Sequence, residues 1–547
     1  MKDFTILIGG QAGQGSRKAG LVIAKILNNL GYRIFIYDDY QSLVKGGHSF
    51  SKIRASNKKV FTQNSEVDFI LALDQLTIDK HIDSLKENGL VVFNSSKVKF
   101  SSGIPIDAET IAKEEGGMPI MANTVIVSVF ARIIGVSFEL LESVFKKEFK
   151  KGLEINLKIA KRIYDEIEER IKIEKLENKP LPLITGNEAL ALGAVKAGLD
   201  MYYAYPMTPA TSILHFLAGH KLGVQTIQLE NEIAVIISAL GSAYAGKRSM
   251  LGTSGGGFAL MTEGISLASI AELPILIVNS QRTGPATGVP TYNAQADLNF
   301  VLNAGHGDIV KFVVAPKDAD ECYEWSGRLL NLAWKYQTPA VLLIDKEISE
   351  STFNFESKAR IEKQEALLSD KKEDYKRYEI TPSGISPLAF PGEGVVSKVT
   401  SYEHDEYGYT AEEDEEIIMQ MQEKRLRKFE EMQKEVEDMV DAIKIYGKKD
   451  SKNVLITWGS SSHPAIEATE DLDVKVLQII VLEPFPVLQI LDELENASNI
   501  ICVEQNALGQ LASLLAKNGI EVNELILKYS SRVILKEEIK DLIKEVL

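Results

Sequence analysis

Short apolar segments alternate with helix-length segments through most of this chain, and no other feature limits its possible folds so strongly. Strand candidates in residues 1–180 are FTILIGG, RIFIYDD, DFILAL and GLVVFNS, separated by helical patterns such as RKAGLVIAKILNNLG, ANTVIVSVFARIIG and SFELLESVFKKEF. Residues 184–350 repeat the alternation with MYYAYP, VQTIQLE, SMLGTS, PILIVNSQ, IVKFVVAP and PAVLLID. Strands that alternate with helices predict parallel sheets covered on their faces, so the predicted class is multi-domain α/β.

Interruptions of this pattern divide the chain into five predicted segments. The polar, proline-punctuated stretch KIEKLENKPLPL predicts a linker at 176–183, between a first α/β domain at 1–175 and a second at 184–350. Residues 351–450 carry ITPSGISPLAFPGEG and then a long charged helix, whose alternating signs are typical of a solvated or bridging face. NVLITWGSS, VKVLQIIVLEPFP and NIICVEQN predict a third α/β domain at 451–547.

Composition excludes several classes of protein. A net charge of −16 over 547 residues argues against nonspecific binding of nucleic acid. We find no apolar run of the ~20 residues that span a bilayer, and MKDFTILIGG enters a strand pattern directly, so we expect a cytoplasmic protein with no membrane contact. The two cysteines, Cys322 and Cys502, exclude a disulfide framework and a self-contained zinc or iron–sulfur site. We expect two buried thiols and no metal in this chain.

The segment GGQAGQG, Gly9 to Gly15, follows the first strand candidate and opens a helix. Such a turn directs backbone N–H groups at an anion, which makes Gly10, Gly13 and Gly15 candidates for a phosphate or coenzyme A contact. Asp38 and Asp39 end the next strand, as in a dinucleotide fold, but the spacing G-x-x-G-x-G disfavours NAD. The alternative is a tight strand-to-helix crossing without a ligand.

A second glycine segment, KGGHSFSKIR, is predicted to be a mobile loop. Lys45, His48 and Arg54 supply positive charge that could meet phosphates. Simple solvent exposure of the three side chains is the alternative interpretation.

In AYPMTPAT, two prolines bracket Met207 and Thr208. Proline fixes its own φ and restricts the preceding residue, so Pro206 and Pro209 leave Thr208 little freedom. The segment is either a rigid strand-to-helix turn or a hydroxyl preorganised for a ligand.

The segment QLENEIAVIISALGSAYAG places Glu232 in the first turn of an apolar, buried-looking helix. A carboxylate there can stabilise the helix dipole by ~0.3–1 kcal/mol. It can also act on a cofactor, and the cost of burying an acid without a partner favours that interpretation.

Two further segments follow strand candidates. TSGGGFALMTEGI places Gly255, Gly256 and Gly257 between strand and helix, where they allow close approach of a ligand or another chain. NSQRTGPATGVPTYNAQADL carries Arg282, Thr287 and Thr291, and an arginine just beyond a strand end offers a fork for a carboxylate. A surface loop with an unspecific arginine is the alternative.

Together these motifs resemble the α subunit of the 2-oxoacid:ferredoxin oxidoreductases. The resemblance rests on AYPMTPAT, QLENEIA, TSGGGFALMTEGISLA and QRTGPATGVPT, and extends through YEITPSGISPLAFPG, EHDEYG, EKRLRK, WGSS and VEQNALGQLA. ILIGGQAGQG with KGGHS resembles the γ domain of these enzymes, fused in front as in the 2-oxoglutarate type. This chain departs from the family pattern at Met207 (isoleucine), Ala210 (serine) and Ala286 (serine).

The resemblance implies a thiamine diphosphate enzyme that decarboxylates a 2-oxoacid, passes electrons through a [4Fe–4S] cluster to ferredoxin, and transfers the acyl group to coenzyme A. The second domain would be the pyrimidine-binding domain and the third would resemble the transketolase C-terminal domain. By resemblance, Glu232 hydrogen-bonds the aminopyrimidine ring, Gly255 and Gly256 contact thiamine, and Thr208 and Arg282 hold the substrate carboxylate with Thr291 nearby. The coenzyme A contacts would be Gly10, Gly13, Gly15 and His48.

Two features that such an enzyme needs are missing from the sequence. It contains no G-D-G followed by an asparagine pair, the usual diphosphate and Mg²⁺ site, and no cluster cysteines. The resemblance therefore implies a β subunit that carries both, an (αβ)₂ assembly, and an inactive lone chain.

Several alternatives stay open at this stage. The 2-oxoacid is expected to be 2-oxoglutarate, with pyruvate or a branched-chain oxoacid as alternatives. Other candidates are a transketolase-like partner subunit without ferredoxin dependence, an NAD-binding dehydrogenase built on GGQAGQG, and a non-catalytic scaffold. Intact Thr208, Glu232 and Arg282 argue against the scaffold.

Overall fold

The computed structural model describes residues 2–43, 46–371 and 373–547, which fold into two compact units. The first unit contains residues 1–184, 351–356 and 535–537, and the second contains the rest. Within the described ranges, no helix is both long enough and apolar enough to cross a membrane. The division into five segments stays a prediction. The last three of these segments fall mostly within the second unit.

The N-terminal third of the chain is rich in short elements. In chain order these are β1 (Asp3–Ala12), α1 (Ser16–Asn29), β2 (Arg33–Tyr40), β3 (Gly46–Ser56), β4 (Val67–Ala72), α2 (Gln75–His81), β5 (Leu85–Asn94), β6 (Ile104–Ile106), α3 (Ala108–Glu114), α4 (Ala122–Ile133), α5 (Phe138–Glu148), α6 (Leu153–Glu166) and β7 (Leu183–Thr185).

The middle of the chain alternates strands and helices as its sequence predicts. Its elements are α7 (Gly186–Lys196), β8 (Met201–Ala204), α8 (Thr211–Gly219), β9 (Gln225–Gln228), α9 (Glu232–Tyr244), β10 (Ser249–Thr253), α10 (Gly255–Leu260), α11 (Thr262–Ile270), β11 (Ile275–Gln281), α12 (Leu298–Leu302), β12 (Phe312–Val314), α13 (Ala319–Tyr336), β13 (Pro339–Asp345), α14 (Lys346–Glu350) and β14 (Thr352–Asn354).

The last third begins with an irregular stretch and a long helix. Its elements are α15 (Glu415–Asp438), β15 (Ile443–Gly447), β16 (Asn453–Trp458), α16 (Ser462–Ala468), β17 (Lys475–Ile479), β18 (Val481–Glu483), α17 (Val487–Leu494), β19 (Asn499–Glu504), α18 (Gln510–Lys517), β20 (Glu524–Leu527) and α19 (Lys536–Val546).

The first unit is built on an eight-stranded mixed sheet of order β6-β5-β4-β1-β3-β2-β14-β7. Strands β1, β4, β5 and β6 are parallel, whereas β3 runs antiparallel to both β1 and β2. Helices α1 and α4 cover a core that includes Phe4, Ile23, Phe69 and Phe130. The α/β class predicted from the sequence is confirmed, but the parallel order holds for only part of this sheet.

The segment predicted as a mobile loop is instead strand β3, so that prediction is wrong, for a physical reason visible in the sequence. Residues 48–54 alternate side chains between the two faces of a sheet, as the period of a strand requires. Arg54 is buried and donates to both carboxylate oxygens of Asp3, at 2.9 and 3.1 Å, so neither a phosphate contact nor solvent exposure describes it. Lys45 lies outside the described residues.

The second unit contains a seven-stranded sheet of order β18-β12-β13-β11-β10-β8-β9. Its strands from β12 to β9 are parallel, and only β18 is antiparallel. The carboxyl ends of the parallel strands, at Ala204, Thr253, Gln281 and Asp345, therefore share one edge. Ligands bind at this edge in open α/β sheets.

A third sheet of order β15-β17-β16-β19-β20 completes the second unit. Strand β15 begins before the predicted boundary at residue 451. Buried side chains of the second and third sheets form one continuous core, to which Leu251 and Ile277 contribute from one sheet and Ile456 and Leu477 from the other. This shared core fixes the loops of the two sheets relative to each other.

The charged helix α15 has a buried face, so the prediction of a solvated or bridging helix describes only its other side. Lys424 Nζ lies 2.7 and 2.9 Å from the two carboxylate oxygens of Glu272, and Lys428 also bonds this carboxylate. All three side chains are buried. The alternation of charge along α15 could not reveal an acid about 150 residues earlier in the chain.

Candidate functional site

Four segments of the second unit meet at the carboxyl edge of its parallel sheet. They are the loop after β8, the start of α9, the start of α10 and the loop after β11. The contacts described below connect them in pairs, and they bring Thr208, Glu232, Gly255, Gly256 and Arg282 together.

Arg282 and Thr208 are in direct contact. The Arg282 Nη1 atom donates a hydrogen bond of 2.9 Å to the main-chain oxygen of Thr208. The loop around Thr208 is held from its other side, because Asn187 Nδ2 donates to the oxygen of Pro209 at 3.0 Å. The Thr208–Pro209 peptide bond is cis. The arrangement fixes a guanidinium and a threonine side by side at the sheet edge.

Arg282 and Thr208 keep hydrogen-bond donors that have no partner among the described residues. Within the described part of the chain, no hydrogen bond involves the hydroxyl of Thr208, and the bond to Thr208 is the only one made by the Arg282 guanidinium. Burial lowers the pKa of Arg282 from its usual value, and the charge of Asp297 partly opposes this shift. The remaining N–H groups of Arg282 and the hydroxyl of Thr208 can bind a planar carboxylate.

Glu232 is the first residue of α9 and is only 4% exposed. Its position is set by Asn231, whose side-chain oxygen accepts the N–H of Ala234 at 2.9 Å and thereby caps the helix. Among the residues that the structure describes, none forms a hydrogen bond or ion pair with the Glu232 carboxyl group. A buried acid without a protein partner is costly, and a ligand that bonds it would remove that cost.

Glu232 requires a glycine at position 257. A Cβ at Gly257 would lie 2.1 Å from Thr253 Oγ1 and 2.7 Å from Glu232 Oε1. A Cβ at Gly255 would lie 2.5 Å from Asp297 Oδ2, whereas one at Gly256 would meet only Met207 Cε, at 3.8 Å. The three glycines, predicted to lie between strand and helix, form the first turn of α10.

Two polar groups without a described partner lie close in sequence or space to these glycines. Glu232 offers a carboxyl group, Gly256 leaves open space above the backbone, and Ser254 Oγ is buried without a partner among the described residues. A ligand at this edge could supply the hydrogen bond that this hydroxyl lacks.

Thr291 lies in the loop after β11. It is buried, but no hydrogen bond between described residues joins it to Thr208 or Arg282. Its loop is held by Thr283, which donates its N–H to Tyr292 at 3.2 Å and its hydroxyl to Asn293 at 3.0 Å. Thr287 is exposed.

Sequence reasoning missed Asp297, which lies directly against Gly255. Asn279 Nδ2 donates to Asp297 Oδ2 at 3.3 Å, and the N–H of Asp297 donates to Gln281 Oε1 at 2.9 Å. Burial raises the pKa of Asp297 to about 6. Its only sequence signal is a place before a helix, which predicts an N-cap, yet its side chain makes no cap hydrogen bond to α12.

Gln295 was also missed, and it anchors the loop after β11 to the third sheet. Its Nε2 donates to Trp458 O at 2.8 Å, and its Oε1 accepts the N–H of Gln505 at 2.9 Å. Its own N–H donates to Gln505 O at 2.8 Å. Nothing in the sequence near Gln295 indicates partners more than about 150 residues away.

The glycine turn of the first unit is shorter than predicted. Strand β1 continues through Gly9 and Gly10, and only Gly13 and Gly15 lie in the turn, at φ of +100° and +78°. No side chain caps α1, which begins after Gly15, and Asn123 Nδ2 donates to Gln14 O at 3.1 Å. The first N–H groups of α1, which no side chain caps, can donate to an anion.

His48 lies on the other face of this sheet. Ser49 contacts Ser16 of α1 through their hydroxyl oxygens at 3.0 Å, so its neighbour His48 points to the opposite face. There His48 and His81 share a hydrogen bond of 2.8 Å between their Nε2 atoms, and burial lowers the pKa of both. The His48 ring and helix α1 therefore lie on opposite faces of the sheet.

Asp38 also departs from the dinucleotide-binding pattern. It accepts hydrogen bonds from Ser51 Oγ at 2.5 Å and Arg17 Nε at 3.0 Å.

Cys322 and Cys502 are buried free thiols, as expected. In the described part of the chain, no three or more His, Cys, Asp or Glu side chains are grouped to hold a metal ion.

The chain is similar to known proteins over its whole length. Residues 192–424 match the family described as "Pyruvate flavodoxin/ferredoxin oxidoreductase, thiamine diP-bdg", and residues 5–166 match "Pyruvate ferredoxin/flavodoxin oxidoreductase". The 2-oxoacid:ferredoxin oxidoreductase subunit alpha of Saccharolobus solfataricus is 31% identical, over 99% of this chain and 97% of its own length.

Two further likenesses involve proteins named for 2-oxoglutarate. The 2-oxoglutarate synthase subunit KorA of Methanocaldococcus jannaschii is 31% identical, over 62% of this chain and 93% of its own length. A solved structure of the 2-oxoglutarate:ferredoxin oxidoreductase of Magnetococcus marinus, with 2-oxoglutarate, coenzyme A and succinyl-CoA bound, is 30% identical. It covers 100% of this chain and 99% of that chain with a TM-score of 0.89.

Proposed function

Because the chain belongs to the 2-oxoacid:ferredoxin oxidoreductases, as an α subunit, we propose that it binds the 2-oxoacid and half of the thiamine cofactor. The proposed reaction is oxidative decarboxylation of the 2-oxoacid with coenzyme A to acyl-CoA, CO₂ and reduced ferredoxin, or its reverse. The observation that carries the proposal is the Arg282–Thr208 pair, which presents unused donors at the sheet edge that also holds the buried Glu232.

Glu232, Gly255 and Gly256 are the proposed cofactor contacts. Thiamine diphosphate, when bound, supplies the carbon that attacks the 2-oxoacid carbonyl and accepts the electrons left by CO₂. Glu232 would hold a proton against a ring nitrogen of the aminopyrimidine, which its burial and lack of a described protein partner support. Gly256 would allow the ring to approach the backbone closely.

Arg282 and Thr208 are the proposed substrate contacts, with Thr291 as a third candidate. A 2-oxoacid carries its carboxylate next to the carbonyl under attack. The guanidinium would bind that carboxylate through two parallel hydrogen bonds, and the Thr208 hydroxyl would fix its rotation. Both contacts address the end that all 2-oxoacids share.

We propose 2-oxoglutarate as the substrate, with pyruvate and branched-chain oxoacids as the alternatives. Support comes from the likeness to 2-oxoglutarate synthase subunit KorA and to the oxidoreductase solved with 2-oxoglutarate. A panel of 2-oxoacids that differ only at the end away from the shared carboxylate tests this choice directly.

The remaining components are proposed to lie in a β subunit. It would supply the diphosphate and Mg²⁺ site and the [4Fe–4S] cluster, and would pass electrons to ferredoxin from an (αβ)₂ assembly. The two cysteines of this chain, each buried within a different part of the fold, support this division. Free thiols are typical of a reducing compartment, which supports a cytoplasmic location.

Coenzyme A is proposed to contact the turn at Gly13 and Gly15. The uncapped start of α1 supports an anion contact there. Gly10 and His48 are weaker candidates, because Gly10 lies within β1 and His48 faces α2.

The proposed function is tested by expressing the chain with and without its β subunit. The complex is expected to be brown and to reduce a viologen dye with a 2-oxoacid and coenzyme A, fastest with 2-oxoglutarate. The lone chain should do neither. A complex that binds thiamine diphosphate but reduces no dye with any 2-oxoacid would instead indicate a transketolase-like subunit, and an active lone chain would contradict the division of labour.

A further inference from the structure

Asp297 occupies a place at the site that the proposed chemistry does not use. Its carboxyl group lies against the Cα of Gly255 at the start of α10, where a Cβ would come within 2.5 Å of Oδ2. Its main chain is held by Gln281, which ends β11 one residue before Arg282. The group is therefore fixed between the proposed cofactor contact and the proposed substrate contact.

The surroundings of Asp297 do little to stabilise a negative charge. The side chain accepts one described hydrogen bond, a long one of 3.3 Å from Asn279 Nδ2. It makes no cap hydrogen bond to α12, although it occupies the N-cap position. The bond that Arg282 makes in the described chain goes to the oxygen of Thr208 and not to Asp297. No described hydrogen bond or ion pair joins Asp297 to Arg282, although the positive charge of Arg282 opposes the rise of the Asp297 pKa.

We propose that Asp297 is a positioning residue that takes up a proton from solvent when the carboxylate of a 2-oxoacid binds at Arg282. The proposal rests on the proposed function, since it needs a substrate anion at that arginine. An anion bound there would face a second negative charge at Asp297 in a partly buried site. Protonation of one Asp297 oxygen removes that repulsion and leaves Arg282 with a single carboxylate to bind.

The direction of the effect follows from the charges that face Asp297. Burial raises its pKa to about 6, while Asn279 and Arg282 oppose that rise. Two further acids face this region from adjoining elements: Glu232, which packs against Gly257 on the same turn of α10, and Asp345, which pairs in register with Gln281. A substrate carboxylate adds negative charge and neutralises Arg282, and both changes raise the pKa of Asp297 further. Binding then favours protonation, and by reciprocity protonation favours binding.

The test is proton uptake on binding, measured by calorimetry on the complex of this chain with its β subunit and thiamine diphosphate. The probes are oxamate and N-oxalylglycine, which keep the carboxylate–carbonyl end and are not decarboxylated. Titrations in two buffers of different ionisation enthalpy give the number of protons taken up. Near neutral pH the unmodified complex should take up close to one proton when it binds a probe. Its affinity for the probe should fall by up to ~10-fold for each unit by which the pH rises.

Asp297→Asn should bind both probes with a pH-independent affinity and take up no proton, because the amide keeps the shape of the side chain. Asp345→Asn is the matched control. Burial also raises the pKa of Asp345 to about 6, and Asp345 pairs in register with Gln281, but it accepts the N–H of Ile348 at 3.1 Å and makes no described contact with Arg282. Its variant should keep the proton uptake.

Two results would overturn the role of Asp297 and leave the proposed function standing. They are probe binding without proton uptake in the unmodified complex, and proton uptake that persists in Asp297→Asn. The first needs no variant, so it decides the matter even where Asp297→Asn fails to fold. An unmodified complex that binds neither probe would instead overturn the proposed function, and this inference with it.

Discussion

The guanidinium of Arg282 is bonded to the backbone of Thr208 and not to its hydroxyl, over 2.9 Å from Nη1 to the main-chain oxygen. The two side chains can therefore be altered separately. Thr208→Ala keeps the oxygen that holds Arg282, whereas Arg282→Lys loses the planar fork. The two proposed substrate contacts can therefore be tested by separate substitutions.

Each of these changes should lower kcat/KM for all 2-oxoacids to a similar extent. Loss of a neutral hydrogen bond costs ~0.5–1.5 kcal/mol, and loss of one to a charged group ~1.5–3 kcal/mol. Because both proposed contacts go to a carboxylate, we expect Thr208→Ala and Arg282→Lys each to lower kcat/KM by ~10- to 100-fold. Kinetics on 2-oxoglutarate, pyruvate and a branched-chain oxoacid measure this.

The exposed Thr287 in the same loop provides the control, and Thr287→Ala should leave kcat/KM unchanged. A variant of Thr208 or Arg282 that abolished only one substrate would show that the residue recognises the side chain of the oxoacid.

Glu232→Gln should reduce turnover by ~10²- to 10⁴-fold, the usual effect of removing an acid–base group. The amide keeps the size of the side chain, so the complex should assemble and melt normally. Glu230→Gln is the matched control, because Glu230 lies two residues earlier and is more exposed than Glu232. Turnover and thermal melting of both variants are compared, and activity within a few-fold of the unmodified complex in Glu232→Gln would exclude Glu232 as the cofactor acid.

The sequence predicted those parts of the site that depend on local pattern. Thr208 became a candidate through its two prolines, Glu232 through its helix start, and Arg282 through its place after a strand, and their roles stay predictions. Each signal lies close in sequence to the group that it identifies. The parallel strands of the second unit were predicted for the same reason, because their apolar segments are short and clearly bounded.

The missed features depend on contacts distant in sequence. The partners of Gln295 lie in the third sheet, and Glu272 meets Lys424 across 152 positions. Gly46 and Gly47 begin strand β3 and give its sequence the composition of a loop, although the residues after them alternate between the two faces of the sheet. Asp297 has the sequence setting of an N-cap, and only three-dimensional packing shows that it does not act as one.

Gly13→Val should raise the KM for coenzyme A more than the KM for the 2-oxoacid. Gly13 has φ of +100°, and a Cβ added there would meet no atom within 4 Å, so a valine acts by straining the turn that precedes α1. Gly116→Val is matched in strain, since Gly116 has φ of +78° and equally open surroundings in the same unit. Equal coenzyme A dependence in the two variants would favour a turn that serves packing alone.

Glu272→Gln should lower the free energy of unfolding by ~3–5 kcal/mol, because it leaves two buried ammonium groups without their carboxylate. The lysines hold the pKa of Glu272 well below its usual value. Its contribution is therefore complete above a pH of about 4.5, the unfolded value, and is lost on acidification. The difference in melting temperature between variant and unmodified chain should shrink as the pH falls. Lys434→Ala, at an exposed position of the same helix, should leave the melting temperature unchanged.

Gly257→Ala and Gly256→Ala should have different effects, although the two glycines are neighbours in one helical turn. A Cβ at Gly257 collides with Thr253 Oγ1 and Glu232 Oε1, so the variant should displace Glu232 and destabilise the second unit by ~1–3 kcal/mol. A Cβ at Gly256 meets only Met207 Cε at 3.8 Å, so that variant should melt like the unmodified chain. If thiamine approaches this backbone, however, Gly256→Ala should weaken its binding to the assembled complex. Thermal melting without cofactor and the dissociation constant of thiamine diphosphate separate the two effects, and unchanged affinity in Gly256→Ala would remove Gly256 from the cofactor site.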